Sequence, residues 1–373
     1  MKKILISICL LLLCALGLYF LLPKPVETDK PVVKIGATLP LSGDLAEVGE
    51  ANLQSMKMAL NEWQNKDTKY HYEIVFENDL MQSKKAALNA SKFINADRVK
   101  SIFSIWGVVA PVTAEVARKN NILNFVCAAM PGITDSNHVL NNYTQEEEIF
   151  KTLSKWLHSN DVKSVAYVTT NAGFFAGRAK YAKDFLENEG FAVTDIEIYA
   201  PDTKDFRMSI AAMEKKKPDY YIVAITNPGT VLFLEQFYQV TKNKKNLVGI
   251  DVFHEMPQEY WPVANGLFFV KSANGTPSFA EKFKAQTGLG LLSCTGNSYD
   301  NLNLFIWGYE NTLTPEGEIF PNTKDVFQTI VGKKQGEGAM GHFTIDKTGL
   351  IRSEASLQKM VNGQIVDVLE YKQ

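Results

Sequence analysis

Val32-Val33-Lys34-Ile35-Gly36-Ala37-Thr38-Leu39, followed by Pro40-Leu41-Ser42-Gly43, is the stretch from which the architecture can be read. The first eight residues form a mostly apolar, β-branched run of strand length. Proline stops it, and Ser42-Gly43 supplies turn chemistry. The period then changes from two to 3.6, with Leu53, Met56, Ala59, Leu60 and Trp63 on one helical face. Strand, tight turn and amphipathic helix make the first half of a β-α-β unit on a parallel sheet.

The same grammar continues outward. Tyr70–Glu77 predicts a strand, and Ala86, Ala87, Ala90, Phe93 and Ile94 a helix face. Ser101–Ile105 predicts a strand, Pro111 marks the first turn of a helix, and Ile122–Val126 closes the series. After a looser stretch around Pro131 and Gly132 it restarts. A helix from Gln145 precedes strand Ser164–Thr169, helix Phe174–Glu189 and strand Ala192–Tyr199. A helix bearing Phe206, Ile210 and Met213 leads to strand Tyr220–Ile225, a helix from Gly229 and strand Leu247–Ile250. Strand Leu267–Val270 and helices near Ser278–Thr287, Ser298–Thr312 and Lys324–Val331 follow, with extended segments at His342–Ile345 and Ile365–Tyr371. At 373 residues the chain has room for two such α/β domains, each with its own core.

Composition narrows the function. With 39 basic against 41 acidic side chains and no Lys/Arg block longer than Lys215–Lys217, nucleic acid is not expected as a partner. The mean hydropathy of −0.11 excludes a polytopic membrane protein. Only Ile4–Leu22, preceded by Lys2 and Lys3, is apolar over a spanning length, and it reads as an export signal or an uncleaved anchor. Residues 1–30 are therefore read as signal or anchor plus a Pro-containing linker, and the rest as periplasmic or otherwise extracytoplasmic, with contact to the inner membrane left open. Cys14 follows Leu13 rather than a small residue, so a lipid anchor is disfavoured. Cys127 and Cys294 remain for the folded part; spacing leaves a bridge open, with two buried thiols the preferred reading. The five histidines are scattered, so no metal site is expected, and no other cofactor is.

Gly336-Glu337-Gly338-Ala339-Met340-Gly341 satisfies the dinucleotide pattern G-x-G-x-x-G, but a helix is expected before it and a strand after it, the reverse of what that motif needs. No nucleophile elbow, zinc-protease motif or phosphate loop occurs, so an enzyme is not expected; an exported hydrolase using Asp251 is the competing idea. Polar and aromatic residues instead stand just beyond strands: Ser42, Trp106, Phe174 and Phe175, Asp251 and Phe253. Each has a plain structural explanation as a turn or core cap. At the carboxyl ends of strands from two lobes they would also line one interdomain cleft.

Taken together, Ile35-Gly36-Ala37-Thr38-Leu39-Pro40-Leu41-Ser42-Gly43 with Gly49, Tyr299-Asp300 opening a late helix, and Gly341-His342-Phe343-Thr344-Ile345-Asp346-Lys347-Thr348-Gly349 make the chain resemble the type I periplasmic solute-binding proteins of branched-chain amino acid ABC transporters. The resemblance runs from about Val32 to the C-terminus. It implies two Rossmann-like lobes with parallel sheets joined by a three-strand hinge, closing on a small solute that a membrane permease then accepts. The implied divisions are residues 31–145 and 271–343 for lobe 1, 146–270 for lobe 2, and 344–373 for completion of lobe 2 and the hinge. Carried over position by position, the resemblance implies ligand contacts at Ser42, Trp106, Gly107, Val108, Ala129, Met130, Phe174, Phe175, Thr226, Asn227 and Asp251. Amino-acid binders hold the α-carboxylate with hydroxyl residues where Trp106-Gly107-Val108-Val109 stands here, so a neutral or cationic amine, amide or aromatic solute is expected, with Asp251 facing an amine. An alternative with the same fold is a membrane-anchored sensor that signals to a partner.

Overall fold

The computed structural model describes residues 30–130, 132–171 and 178–368. The export segment and the aromatic pair Phe174 and Phe175 lie outside the described residues. Among the described residues no helix is long and apolar enough to cross a membrane.

The strands fall into two separate sheets. Lobe 1 begins with β1 (Val32–Leu39), α1 (Ala46–Gln64), β2 (His71–Asn78), α2 (Ser83–Lys92), β3 (Ser101–Ile105), α3 (Ala110–Asn120), β4 (Leu123–Cys127) and β5 (Val139–Asn142). The chain then enters lobe 2: α4 (Glu146–Ser159), β6 (Ser164–Thr170), α5 (Arg178–Asn188), β7 (Ala192–Tyr199), α6 (Arg207–Lys216), β8 (Tyr220–Ala224), α7 (Gly229–Thr241), β9 (Leu247–Ile250) and β10 (Phe268–Lys271). It returns to lobe 1 for α8 (Pro277–Thr287), α9 (Thr295–Asn311), α10 (Thr323–Gly332), β11 (Gln335–Gly338), β12 (Gly341–Ile345) and β13 (Leu350–Ser353). It ends in lobe 2 with β14 (Ser356–Val361) and β15 (Gln364–Asp367).

Sheet order is β11-β12-β13-β5-β4-β3-β1-β2 in lobe 1 and β15-β14-β10-β9-β8-β6-β7 in lobe 2. The crossover-linked strands pair in parallel, and antiparallel pairing is confined to the late hairpins and their neighbours. Strands β3 and β4 are buried at every residue because helices cover both faces of a parallel sheet, which is why they read as unbroken apolar runs. Each sheet has its own core. Phe103, Phe125 and Phe305 meet in lobe 1, and Trp156, Tyr167 and Phe237 belong to the lobe 2 cluster.

Several expectations need correction. The loose stretch after β4 holds β5, whose Asn141 is tolerated in a buried strand because its amide is bonded on both sides: Nδ2 donates to the Ala128 carbonyl at 3.0 Å and Oδ1 accepts from the Ala128 N–H, while Asn142 Oδ1 accepts from Asn297 Nδ2 at 3.2 Å. The last crossing between sheets lies between β13 and β14, beyond the 343/344 division expected, because β12 and β13 both pair within the lobe 1 sheet. The glycine motif itself forms a β-hairpin: α10 precedes it and β12 follows, as expected, but β11 runs through its first glycines where no strand was expected. Cys127 and Cys294 are joined in a disulfide, not two buried thiols, since the end of β4 and the residue before α9 bring their Cα atoms to 6.0 Å, within bridging range.

Candidate functional site

The strand ends of the two sheets open onto one cleft of about 840 Å³. Lobe 1 contributes Trp106, Gly107 and Val108 from the loop after β3, Ala129 after β4, and Leu292 and Ser293 before α9. Lobe 2 contributes Thr226 after β8, Asp251 and His254 after β9, and Lys271 at the end of β10. Tyr143, Ser272 and Asn274 lie on the crossings. A cleft of this size, between two packed units and beyond the carboxyl ends of parallel strands, is the usual setting for a small-molecule ligand.

Two residues on opposite walls have left-handed backbone, Trp106 at φ +65° and Asp251 at φ +51°. For a tryptophan this conformation is costly, and it persists because its surroundings fix it. The Trp106 N–H donates to the Cys127 carbonyl at 2.7 Å, and its indole Nε1 donates to Ser293 Oγ at 2.9 Å. At the crossings Ser272 Oγ donates to the Tyr143 hydroxyl oxygen at 2.9 Å, tying the two chain segments together.

The electrostatics of the lobe 2 wall are internally compensated. Arg178, 3% exposed, donates through Nε to Glu146 Oε1 at 2.5 Å, and its Nη1 lies 3.9 Å from Asp251 Oδ2. The Ser272 N–H donates to Asp251 Oδ1 at 3.0 Å. Burial pushes the Asp251 carboxyl above the usual carboxylate range, while Arg178, the Ser272 N–H and Lys271 pull it back. Burial, with Lys271 adding repulsion, lowers the His254 imidazole to about 3, so it is neutral at physiological pH; its ring stacks on Phe269 at 5.6 Å. Asp251 thus lines the cleft with Arg178 as a neighbouring opposite charge, and its Oδ2 accepts no hydrogen bond from the described residues.

Of the residues singled out from sequence, Trp106, Gly107, Val108, Ala129, Thr226 and Asp251 come together in this cleft. Met130 lines a separate concavity near the crossings, with Tyr181 and Arg352. Ser42 is exposed and accepts from Asn78 Nδ2 at 2.7 Å, which makes it part of the turn after β1. Asn227 is outside the cleft lining and precedes a cis proline, Pro228. Tyr143, His254, Lys271, Ser272, Asn274, Leu292 and Ser293 were missed. For Ser272 the available signal was its position just after a strand; Tyr143 follows β5, which the sequence does not announce, and Ser293, between two helices, carried none. Among the described residues no cluster of His, Cys, Asp or Glu could hold a metal ion.

Two α/β lobes, three crossings and a cleft at the strand ends define a two-lobed ligand-binding protein. The chain belongs to the periplasmic binding protein family, whose model matches residues 32–363. It is similar to Leu/Ile/Val-binding protein homolog 7 of Brucella suis, with 22% identity over 292 residues, 71% of this chain and 72% of that protein. Among solved structures it is similar to an ABC transporter substrate-binding protein of Desulfitobacterium hafniense in complex with Leu, at TM-score 0.71 and 18% identity over 90% of this chain and 100% of that one. It is also similar to an ABC transporter solute-binding protein of R. palustris in complex with benzoate, at TM-score 0.65 and 17% identity over 90% and 95%. At these identities the structural likeness speaks for the fold.

Proposed function

We propose that the protein is the extracytoplasmic solute-binding component of an ABC transporter, capturing a small organic solute between its lobes and presenting it to a membrane permease. The observation that carries this reading is the cleft of about 840 Å³ walled by loops of both sheets. A solute that touches both walls stabilises the closed arrangement, because only there does it make both sets of contacts. No covalent chemistry is required of the chain.

The cleft favours a solute with a flat or apolar body. Trp106, Val108 and Leu292 offer apolar surface, and polar groups at Thr226, Ser272, Ser293 and Asn274 offer hydrogen bonds. Because Asp251 faces Arg178, an amine would have to compete for it, so an aromatic or aliphatic solute with a neutral or acidic polar end suits the site better than a simple amine. The relatives crystallised with Leu and with benzoate are compatible with that class.

The test is a thermal-shift screen of amino acids, amides, amines and aromatic acids, followed by small-angle scattering with any hit. A solute at 100 times its dissociation constant stabilises the native state by about 2.7 kcal/mol. A hit that also lowers the radius of gyration supports capture by closure. Failure of the whole panel, or a hit whose binding is indifferent to Thr226→Ala and Trp106→Ala, overturns it.

A further inference from the structure

Trp106 is held at both ends by the two cysteine-bearing segments. Its backbone N–H donates to the carbonyl of Cys127, and its indole N–H donates to Ser293, the residue next to Cys294. Cys127 ends β4 and Cys294 precedes α9, and the disulfide between them fixes the separation of those two grips. The Ser293 carbonyl is itself anchored, accepting from Asn52 Nδ2 at 2.9 Å, so this loop is tied to α1 as well. The indole is thereby clamped with left-handed backbone as part of the lobe 1 wall of the cleft.

We infer that Ser293 and the Cys127–Cys294 bond are positioning elements for Trp106, so that solute affinity depends on the redox state of that bond. This rests on the reading of the cleft as the solute site. With the bond closed, the indole presents a fixed face to the cleft. Opening it frees the Ser293 loop from β4, and the indole loses one of its two grips. The reductant is a dithiol. Its thiolate attacks one sulfur and Cys127 or Cys294 departs as thiolate; closure of the dithiol into its own disulfide releases the second sulfur. Two protons complete the two cysteine thiols, and the dithiol supplies both electrons.

The experiment uses the full chain labelled with 5-fluorotryptophan. Its five tryptophans give five fluorine resonances, and the one lost in Trp106→Phe belongs to Trp106. Reduction with dithiothreitol and the Ser293→Ala substitution should each move the Trp106 resonance more than the other four, and Ser293→Thr, which keeps the hydroxyl, should leave it at its original position. A Trp106 resonance that stays in place under both changes, or five resonances that all move together on reduction, overturns the inference. In parallel, L-leucine and benzoate are titrated as probes against oxidised and reduced protein. Affinity for a probe that binds should fall about five- to tenfold on reduction, the size of one lost hydrogen bond; equal affinities in both states overturn the inference. Absence of binding by both probes counts against the solute reading of the cleft, whereas the fluorine spectra decide the positioning of Trp106 independently.

Discussion

Arg178 Nη1 and Asp251 Oδ2 face each other at 3.9 Å on the lobe 2 wall of the cleft, with 3% and 11% of their side chains exposed. Glu146 holds the other side of the guanidinium, so the strand end carrying Asp251, the start of α5 and the start of α4 are joined by one buried charge network.

Removing the charge from Asp251 leaves Arg178 short of a counter-ion. Asp251→Asn keeps the acceptor for the Ser272 N–H, so the loss isolates the charge. Because burial disfavours this carboxylate by more than Arg178, the Ser272 N–H and Lys271 favour it, the substitution should leave unfolding stability unchanged or raise it by about 1 kcal/mol. Urea unfolding at pH 7 measures it, and a clearly lowered midpoint would show that the charge stabilises the fold.

The buried carboxyl of Asp300 is pushed up to about 7 by burial, against the N–H groups of Met340 and Ala339 that donate to it at 2.9 and 2.6 Å. Its folded value lies above its unfolded one, so the native state holds a proton that the unfolded chain releases. Its contribution to stability is present below about pH 4 and is lost as pH rises towards 7, by about 4 kcal/mol in all. Urea midpoints from pH 4.5 to 7.5 should therefore fall more steeply with pH in the wild type than in Asp300→Asn.

His254 has the opposite sign. Its folded value of about 3 lies below the unfolded 6.5, so the unfolded chain binds the extra proton and stability is lost as pH falls from 6.5 towards 3. His254→Gln should flatten the acid limb of the stability profile. Equal acid limbs in the two proteins would remove His254 as its cause.

A Cβ at Gly338 would sit 2.2 Å from Asp300 Oδ1, and one at Gly49 2.1 Å from the Pro40 carbonyl oxygen. Gly338→Ala and Gly49→Ala should each cost about 2–3 kcal/mol through overpacking. Differential scanning fluorimetry checks both, and either variant melting with the wild type would mean that the neighbouring atoms can yield.

These two glycines also show what a reader of sequence could and could not see. Gly338 stands inside a nucleotide-like pattern, yet its reason for being glycine is a carboxylate from α9, distant in the chain and invisible to motif reading. Strands β1, β3 and β9 were legible residue for residue because burial makes each an apolar run bounded by turn residues, and the half-exposed edge strand β7 because its apolar and polar residues alternate. Strands β5, β11, β13 and β14 were not, being short or polar and stabilised by partners far along the chain. The same holds in the cleft. Trp106 and Asp251 follow strands and announce themselves; Ser293 and Asn274 reach the cleft only because the chain returns to lobe 1 after building lobe 2.

The bond between Cys127 and Cys294 encloses 167 residues of sequence separation, and within that span lies all of lobe 2 except its terminal hairpin, β14 and β15. A protease that nicks an exposed turn anywhere in this interval produces two polypeptides that still travel as a single species on a non-reducing gel. The protein thus keeps its two halves covalently together after backbone damage, and adding a thiol separates them.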